Sequence, residues 1–240
     1  MRVRSVRRWS CSRSPESMAV SGVCSTVGAY GRGIPTHAPG GYRRHVPTFA
    51  CFDVETTGLD PDGGRVIEVA VVRIQRDGTV VGEWTTLVDA GDTDLGRIDI
   101  HGIRRPWLAE APGFGAIAGD LAQELSGCVP VAHNAGFDVG FLRAEWNRSG
   151  LGPLDLDAVD TLQMARQLGY PGRLARLAEA LGVPLVDAHQ ALDDTRALAC
   201  VLVALLDRGG VLPSPLPAFW PPLLTPVPSG VVALRPAPVA

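Results

Sequence analysis

Asp53 and Glu55 stand two residues apart in Phe49-Ala50-Cys51-Phe52-Asp53-Val54-Glu55-Thr56-Thr57-Gly58, whose apolar approach reads as a strand running into a turn. Side chains alternate along a strand, so both carboxylates face the same side. Two acids side by side at the margin of an apolar core repel each other and are costly to desolvate. A divalent cation relieves both problems, which makes the pair a metal-site candidate. Three more segments carry groups suited to the same chemistry. His133-Asn134-Ala135-Gly136-Phe137-Asp138 sets an acid where a strand gives way to a helix. Asp187-Ala188-His189-Gln190-Ala191-Leu192-Asp193-Asp194 sets a histidine and two acids at the opening of the last helix, and His101-Gly102-Ile103 lies in a loop. Taken singly, Asp138, Asp193 and Asp194 are ordinary first-turn acids favoured by the helix dipole, and His189 is a capping or surface histidine.

The elements that must position these groups follow from periodicity and turn chemistry. Residues 48–55 and 66–74 read as strands, with an Asp77-Gly78 turn leading into a third strand over 79–88. Phe114, Ile117, Ala118, Leu121 and Leu125 keep helical spacing. A short apolar strand over 128–133 precedes a helix through Phe137–Trp146, and 158–162 reads as another short strand. Leu174, Leu177, Ala178 and Leu181 form a small helix. A final helix runs from about Gln190 to Leu206, and its last ten residues are apolar on all sides, too few to span a bilayer. Hairpin-linked strands followed by alternating helix and strand predict an α/β fold, a mixed sheet flanked by helices.

Composition bounds the chemistry further. All 22 basic residues of the 240 are arginine, so a phosphate-loop lysine, a Schiff-base lysine and a lysine general base are excluded. Residues 1–47 hold eight Arg against the single acid Glu16, whereas 48–208 hold 13 Arg against 24 acids. So acidic a central domain argues against a broad electrostatic grip on nucleic acid, yet bound metal offsets carboxylates locally. The chain divides accordingly into an Arg/Ser/Gly-rich arm (1–47), a folded domain (48–208) and a Pro-rich tail (209–240) expected to be extended and poorly folded. The arm is a disordered segment or an extension ahead of a start at Met18, and its acid-poor character also resembles a transit peptide. Five cysteines without a C-x-x-C pair predict reduced, buried thiols in a cytoplasmic protein rather than zinc or a disulfide framework.

Asp53-Val54-Glu55-Thr56-Thr57-Gly58-Leu59, His133-Asn134-Ala135-Gly136-Phe137-Asp138 and His189-x-Ala191-x-x-Asp194 occur in that order. They resemble the three exonuclease motifs of the DnaQ-like DEDDh 3′→5′ exonucleases, and His101-Gly102-Ile103 resembles an accessory signature of the same family. The likeness covers about residues 48–208. It implies a ribonuclease-H-like mixed five-stranded sheet, three strands antiparallel and two parallel, and two catalytic divalent ions, Mg²⁺ or Mn²⁺. By that resemblance Asp53, Glu55, Asp138 and Asp194 are the metal-binding acids and His189 is the general base. An imidazole with a pKa near ~6.5 suits proton abstraction at neutral pH. Regular helical spacing pairs His189 with Asp193 and puts Asp194 about 140° away, whereas the family pattern selects Asp194. Gln190 stands where the sister family has a tyrosine, which disfavours that variant.

The resemblance also assigns substrate contacts. Thr56 and Leu59 line the terminal-nucleotide pocket, Asn134 touches the bound strand, and Phe137 stacks on a base or is a core aromatic. His101 contacts substrate or braces its loop. The implied activity is metal-dependent hydrolysis at single-stranded 3′ ends, releasing nucleoside monophosphates. DNA is the favoured substrate, in proofreading or repair, in the manner of the epsilon subunit of bacterial DNA polymerase III. A polymerase subunit is the candidate protein partner and the Pro-rich tail the candidate tether; no Gln-x-x-Leu-x-x-Phe-type clamp-binding motif follows the domain, so a free-standing exonuclease is the equal alternative, and no membrane is involved. The alternatives are an RNA-directed exonuclease and a non-catalytic polymerase-binding module; the latter is disfavoured because all four acids and the histidine are present.

Overall fold

In the computed structural model, the described residues are 11, 47–185 and 190–236. The expected arm lies almost wholly outside them, as does His189. A five-stranded sheet runs in the order β3-β2-β1-β4-β5. Its strands are β1 (Phe49–Thr56), β2 (Val66–Ile74), β3 (Val80–Leu87), β4 (Val129–Ala132) and β5 (Val159–Asp160). β1, β2 and β3 pair antiparallel, while β1–β4 and β4–β5 pair parallel. This is the ribonuclease-H-like mixed sheet that the motifs imply. The β2–β3 turn closes through Gly78 at φ +85°, and Asp77 Oδ1 accepts the Thr79 N–H at 2.9 Å. Only glycine takes that φ without strain.

Helices cover both sheet faces, so the strands are buried on both sides. Ala50, Phe52 and Val54 of β1 pack with α3 (Phe114–Leu125) and α4 (Ala135–Arg148), around Ile117, Phe141 and Trp146. Phe49 and Cys51 face the other way, toward α5 (Thr161–Gln167), α6 (Leu174–Leu181) and α7 (Ala191–Asp207). Asp53 and Glu55 continue the Phe49/Cys51 side, the side from which α7 approaches. Among the described residues no helix is long and apolar enough to cross a membrane.

Several details differ from the periodicity. β5 is two residues long, and the chain enters α5 at Thr161, because Asp160 caps that helix by accepting the Leu162 N–H at 2.9 Å. The segment between β3 and α3 is not plain loop: it holds two short helices, α1 (Ile98–His101) and α2 (Arg105–Leu108). Cys11 and Cys200 form a disulfide, with Cα atoms 5.1 Å apart, so the expectation of wholly reduced thiols does not hold. A pairing across 189 residues leaves no local spacing to announce it. Cys51 and Cys128 are buried free thiols.

The Pro-rich segment is extended but not poorly folded. Nine prolines after residue 208 exclude a helix and a regular ladder, yet the segment is anchored at intervals. Phe219 is 2% exposed within the α3/α4 core. Its backbone exchanges hydrogen bonds with Gly127 and Cys128. Asp120 on α3 accepts the Ser229 and Gly230 N–H groups, both at 2.8 Å. Ala233 then joins the β3 edge, accepting the Leu87 N–H at 2.7 Å and donating to Thr86 Oγ1 at 2.9 Å. A strand edge otherwise open to solvent is covered in this way.

Candidate active site and metal centre

β1 delivers two acids, and the long helix α7 delivers a third. Asp53, Glu55 and Asp194 each offer a carboxylate oxygen, all within 4.8 Å of one another. Asp138 stands in the first turn of α4. It is 3% exposed, and its Oδ1 accepts the Val54 N–H at 3.2 Å, which ties it to the strand residue between Asp53 and Glu55. Asn134 caps α4 with left-handed backbone (φ 67°), and its N–H donates to Asp160 Oδ1 at 3.0 Å. The competing acid is accounted for: Asp193 pairs with Arg196 Nη1 at 2.9 Å, and Arg196 also grips Glu83. Asp194 therefore belongs to the cluster, and Asp193 to a surface ion-pair network.

Crowding acids into a partly buried site raises their proton affinity. Burial, then the charges of Glu68 and Asp194, push the Glu55 carboxyl up to about 8. Burial pushes Asp138 up to about 7, against the opposing pull of the Val54 N–H. Asp53 is raised well above the carboxylate range by burial, then by Asp138, Glu55, Asp194 and Glu68. Such a cluster suits a divalent cation, whose charge would offset the mutual repulsion. Its donors are all oxygen, the donor type a hard divalent cation prefers, so the residues fit a metal.

The remaining expected site residues are distributed around this centre. Leu59 is 87% exposed on the turn after β1, a large apolar side chain open to solvent. Thr56 Oγ1 donates to the Gly58 carbonyl at 2.7 Å and shapes that turn. Asn134 is exposed, while Phe137 is half-buried with its ring 4.9 Å from Phe141, so it has both a core contact and an open side. His101 is buried with both ring nitrogens engaged. Nδ1 accepts the Ile103 N–H at 3.0 Å, so Nε2 carries the proton and donates to the Leu95 carbonyl at 3.0 Å. Of the two readings open for His101, the loop brace is the contact observed.

Two participants are absent from the motif reading. Glu68 lies opposite Glu55 in the β1–β2 register and is 4% exposed. Arg235, in the Pro-rich segment, pairs with it at 2.7 Å. A glutamate inside the apolar run Val66–Ile74 is itself a signal, because buried carboxylates are paired or ligating. Nothing local, however, points to a partner 167 residues away.

The RNase_T exonuclease family matches residues 50–202, most of the folded domain. The DNA polymerase III epsilon subunit of Treponema pallidum is 38% identical over 157 residues, covering 62% of this chain and 71% of that protein. The PolC-type DNA polymerase III of Staphylococcus haemolyticus is 30% identical over 166 residues, which span 67% of this chain but 11% of that much longer protein. Among solved structures, a full-length 3′-exonuclease superimposes with a TM-score of 0.65 at 18% identity, covering 75% of this chain and 72% of its own. The chain belongs to the exonuclease family, as a 3′→5′ exonuclease of the DnaQ-like branch. It is a hydrolase of phosphodiester bonds, and its acidic cluster is able to hold metal.

Proposed function

We propose that the enzyme trims single-stranded 3′ ends of DNA, releasing nucleoside monophosphates, with Mg²⁺ or Mn²⁺ held by Asp53, Glu55, Asp138 and Asp194. The catalytic unit is taken as residues 48–208, working in the cytoplasm alongside a DNA polymerase, in proofreading or repair. The observation that carries this reading is the convergence of Asp53, Glu55 and Asp194 oxygens within 4.8 Å, together with a buried Asp138. The epsilon-subunit relative supports DNA over RNA and supports a polymerase as partner.

Bound there, a pair of divalent ions supplies charge stabilisation to the attacking and leaving oxygens of the phosphodiester. The protein's own residues do the rest. His189, the proposed general base, accepts the proton of the attacking water, a task suited to an imidazole. Leu59 and Phe137 offer apolar faces to the terminal bases, contacts that tolerate any sequence because every base has a π-face. Asn134, exposed at the left-handed β4–α4 junction, offers its amide. Thr56 holds the turn that presents Leu59, and His101 holds the α1 loop.

The test offers 3′-labelled single-stranded DNA and RNA to the full chain with Mg²⁺, Mn²⁺ or EDTA, beside Asp53→Ala and His189→Ala. The expected outcome is metal-dependent mononucleotide release, faster on DNA, lost in Asp53→Ala. His189→Ala should be severely slowed while still binding metal. Activity in EDTA, or full activity in Asp53→Ala, overturns the metal assignment; faster cleavage of RNA overturns the substrate assignment.

A further inference from the structure

Arg235 ends the docked Pro-rich segment beside the acids rather than in solvent. Among the described residues its guanidinium reaches two groups, the Glu68 carboxylate and the His101 carbonyl. Nε lies 2.9 and 3.1 Å from the two Glu68 oxygens, Nη2 lies 2.7 Å from Oε2, and Nη1 donates to the His101 carbonyl at 2.7 Å. Glu68 Oε2 in turn accepts the Ala191 N–H at 3.1 Å. That N–H belongs to the first turn of α7, where backbone donors have no partner within the helix. One arginine thus joins β2, the α1 loop and the N-terminus of α7, and Asp194 stands three residues beyond Ala191.

We propose that Arg235 is a positioning residue of the nuclease: through Glu68 it fixes the first turn of α7, and so the Asp194 carboxylate, against Asp53 and Glu55 on β1. The inference rests on the metal-site reading above. Its physical basis is the burial of Glu68, whose side chain is 5% exposed. Without a counter-charge, a carboxylate so placed beside other acids is strongly unfavourable. Without that guanidinium neither Glu68 oxygen is held in place, and the acceptor of the Ala191 N–H is loosened. Arginine suits the task because its planar fork engages both carboxylate oxygens and still has a donor for a carbonyl. Lysine keeps the charge but not the fork.

The docked segment is built to deliver this residue. α3 presents Gly119, where an added Cβ would collide with the Pro226 carbonyl oxygen, so the segment lies directly on the helix. Phe219, the Asp120 contacts and Ala233 on β3 then set its course, leaving Arg235 two residues past a backbone bond to the sheet edge.

The experiment uses the full chain with Arg235→Met, Arg235→Lys and the control Leu223→Ser, a fully exposed site on the same segment. Cleavage of a single-stranded oligonucleotide gives kcat and KM. Calorimetry with Mn²⁺ on substrate-free protein gives metal binding, and thermal unfolding certifies the fold at the assay temperature. Arg235→Met should lower kcat by about 10- to 100-fold, the scale of ångström misplacement in an active site. KM should stay within about 2-fold, and Mn²⁺ should bind several-fold more weakly. Arg235→Lys should recover part of both, and Leu223→Ser should match wild type. If Arg235→Met does not fold, Arg235→Lys alone decides, with reduced kcat and weakened Mn²⁺ binding expected. Wild-type kcat and Mn²⁺ affinity in a folded variant, or a rise confined to KM, overturn the positioning role. A wild-type chain that binds no Mn²⁺ overturns the metal reading, and this inference with it.

Discussion

The site has two walls held in different ways. On the β1 side, Asp53 and Glu55 are fixed by backbone: they pair with Ala70 and Glu68 of β2, β4 holds the other edge over Phe49–Cys51, and alternation alone sends both carboxylates to one face. On the α7 side, Asp194 depends on side chains gathered from distant parts of the chain, Glu68 from β2 and Arg235 from the Pro-rich segment. The first wall is as rigid as the sheet. The second is as rigid as a buried ion pair. Substitutions at the β1 wall should therefore remove chemistry without moving structure, whereas substitutions behind the α7 wall should move structure and lose chemistry as a consequence.

Removing an acid from the β1 wall is the harshest way to probe the contrast. Asp53→Asn should lower kcat on the order of 10³-fold, the scale of losing several kcal/mol of transition-state charge stabilisation. It should also raise the metal-free melting temperature, because one member of a mutually repelling cluster is gone. A drop in that temperature would show that Asp53 contributes to the fold rather than opposing it.

The second prediction concerns what the α7 wall leans on. Phe219→Ala empties a fully enclosed ring site and should cost about 3–5 kcal/mol, measured by urea unfolding. A cost below about 1 kcal/mol would mean the Pro-rich segment is a passenger, and the α7 wall would lose its external support.

Next in size is the response to pH. Glu55, ordinarily 4.5 and here about 8, and Asp138, ordinarily 3.8 and here about 7, both bind protons more tightly folded than unfolded. The metal-free protein should therefore be stabilised below the ordinary values and lose that stabilisation as pH rises to about 8. Melting curves from pH 5 to 8.5 should slope downward in EDTA and flatten or reverse with Mn²⁺, which binds the deprotonated site. A rising slope in EDTA would contradict the site's electrostatics.

The smallest effect falls on Asp193, one residue from Asp194 but paired with the half-exposed Arg196. Asp193→Asn should change stability by less than about 1 kcal/mol and leave kcat within about 2-fold. A large loss of activity would exchange the roles of the two neighbours.

These two walls were unequally visible in the chain before its structure. The Asp53/Glu55 pair could be placed from alternation alone, and the strands and major helices followed from periodicity, because those signals are local, whereas the ribonuclease-H-like sheet came from the ordered motifs. Asp194 could not be chosen over Asp193 by helical geometry. What separates them is that α7 begins at Ala191 and that Arg196 occupies Asp193, both tertiary facts. α5 escaped notice because its seven residues are too few for a face to emerge and its start depends on the Asp160 cap. Arg235 was hidden most completely, since proline-rich composition reports the absence of helix and ladder but not the presence of docking. His189, expected as the base, lies outside the described residues.

The central claim is that four carboxylates form a divalent-metal site, and calorimetric titration of Mn²⁺ into the substrate-free protein at pH 7 tests it most directly. The account predicts two bound ions, release of protons on binding from the raised Glu55 and Asp138 carboxyls, and loss of at least one ion in Asp53→Asn. No binding, or binding without proton release that Asp53→Asn leaves unchanged, would contradict it.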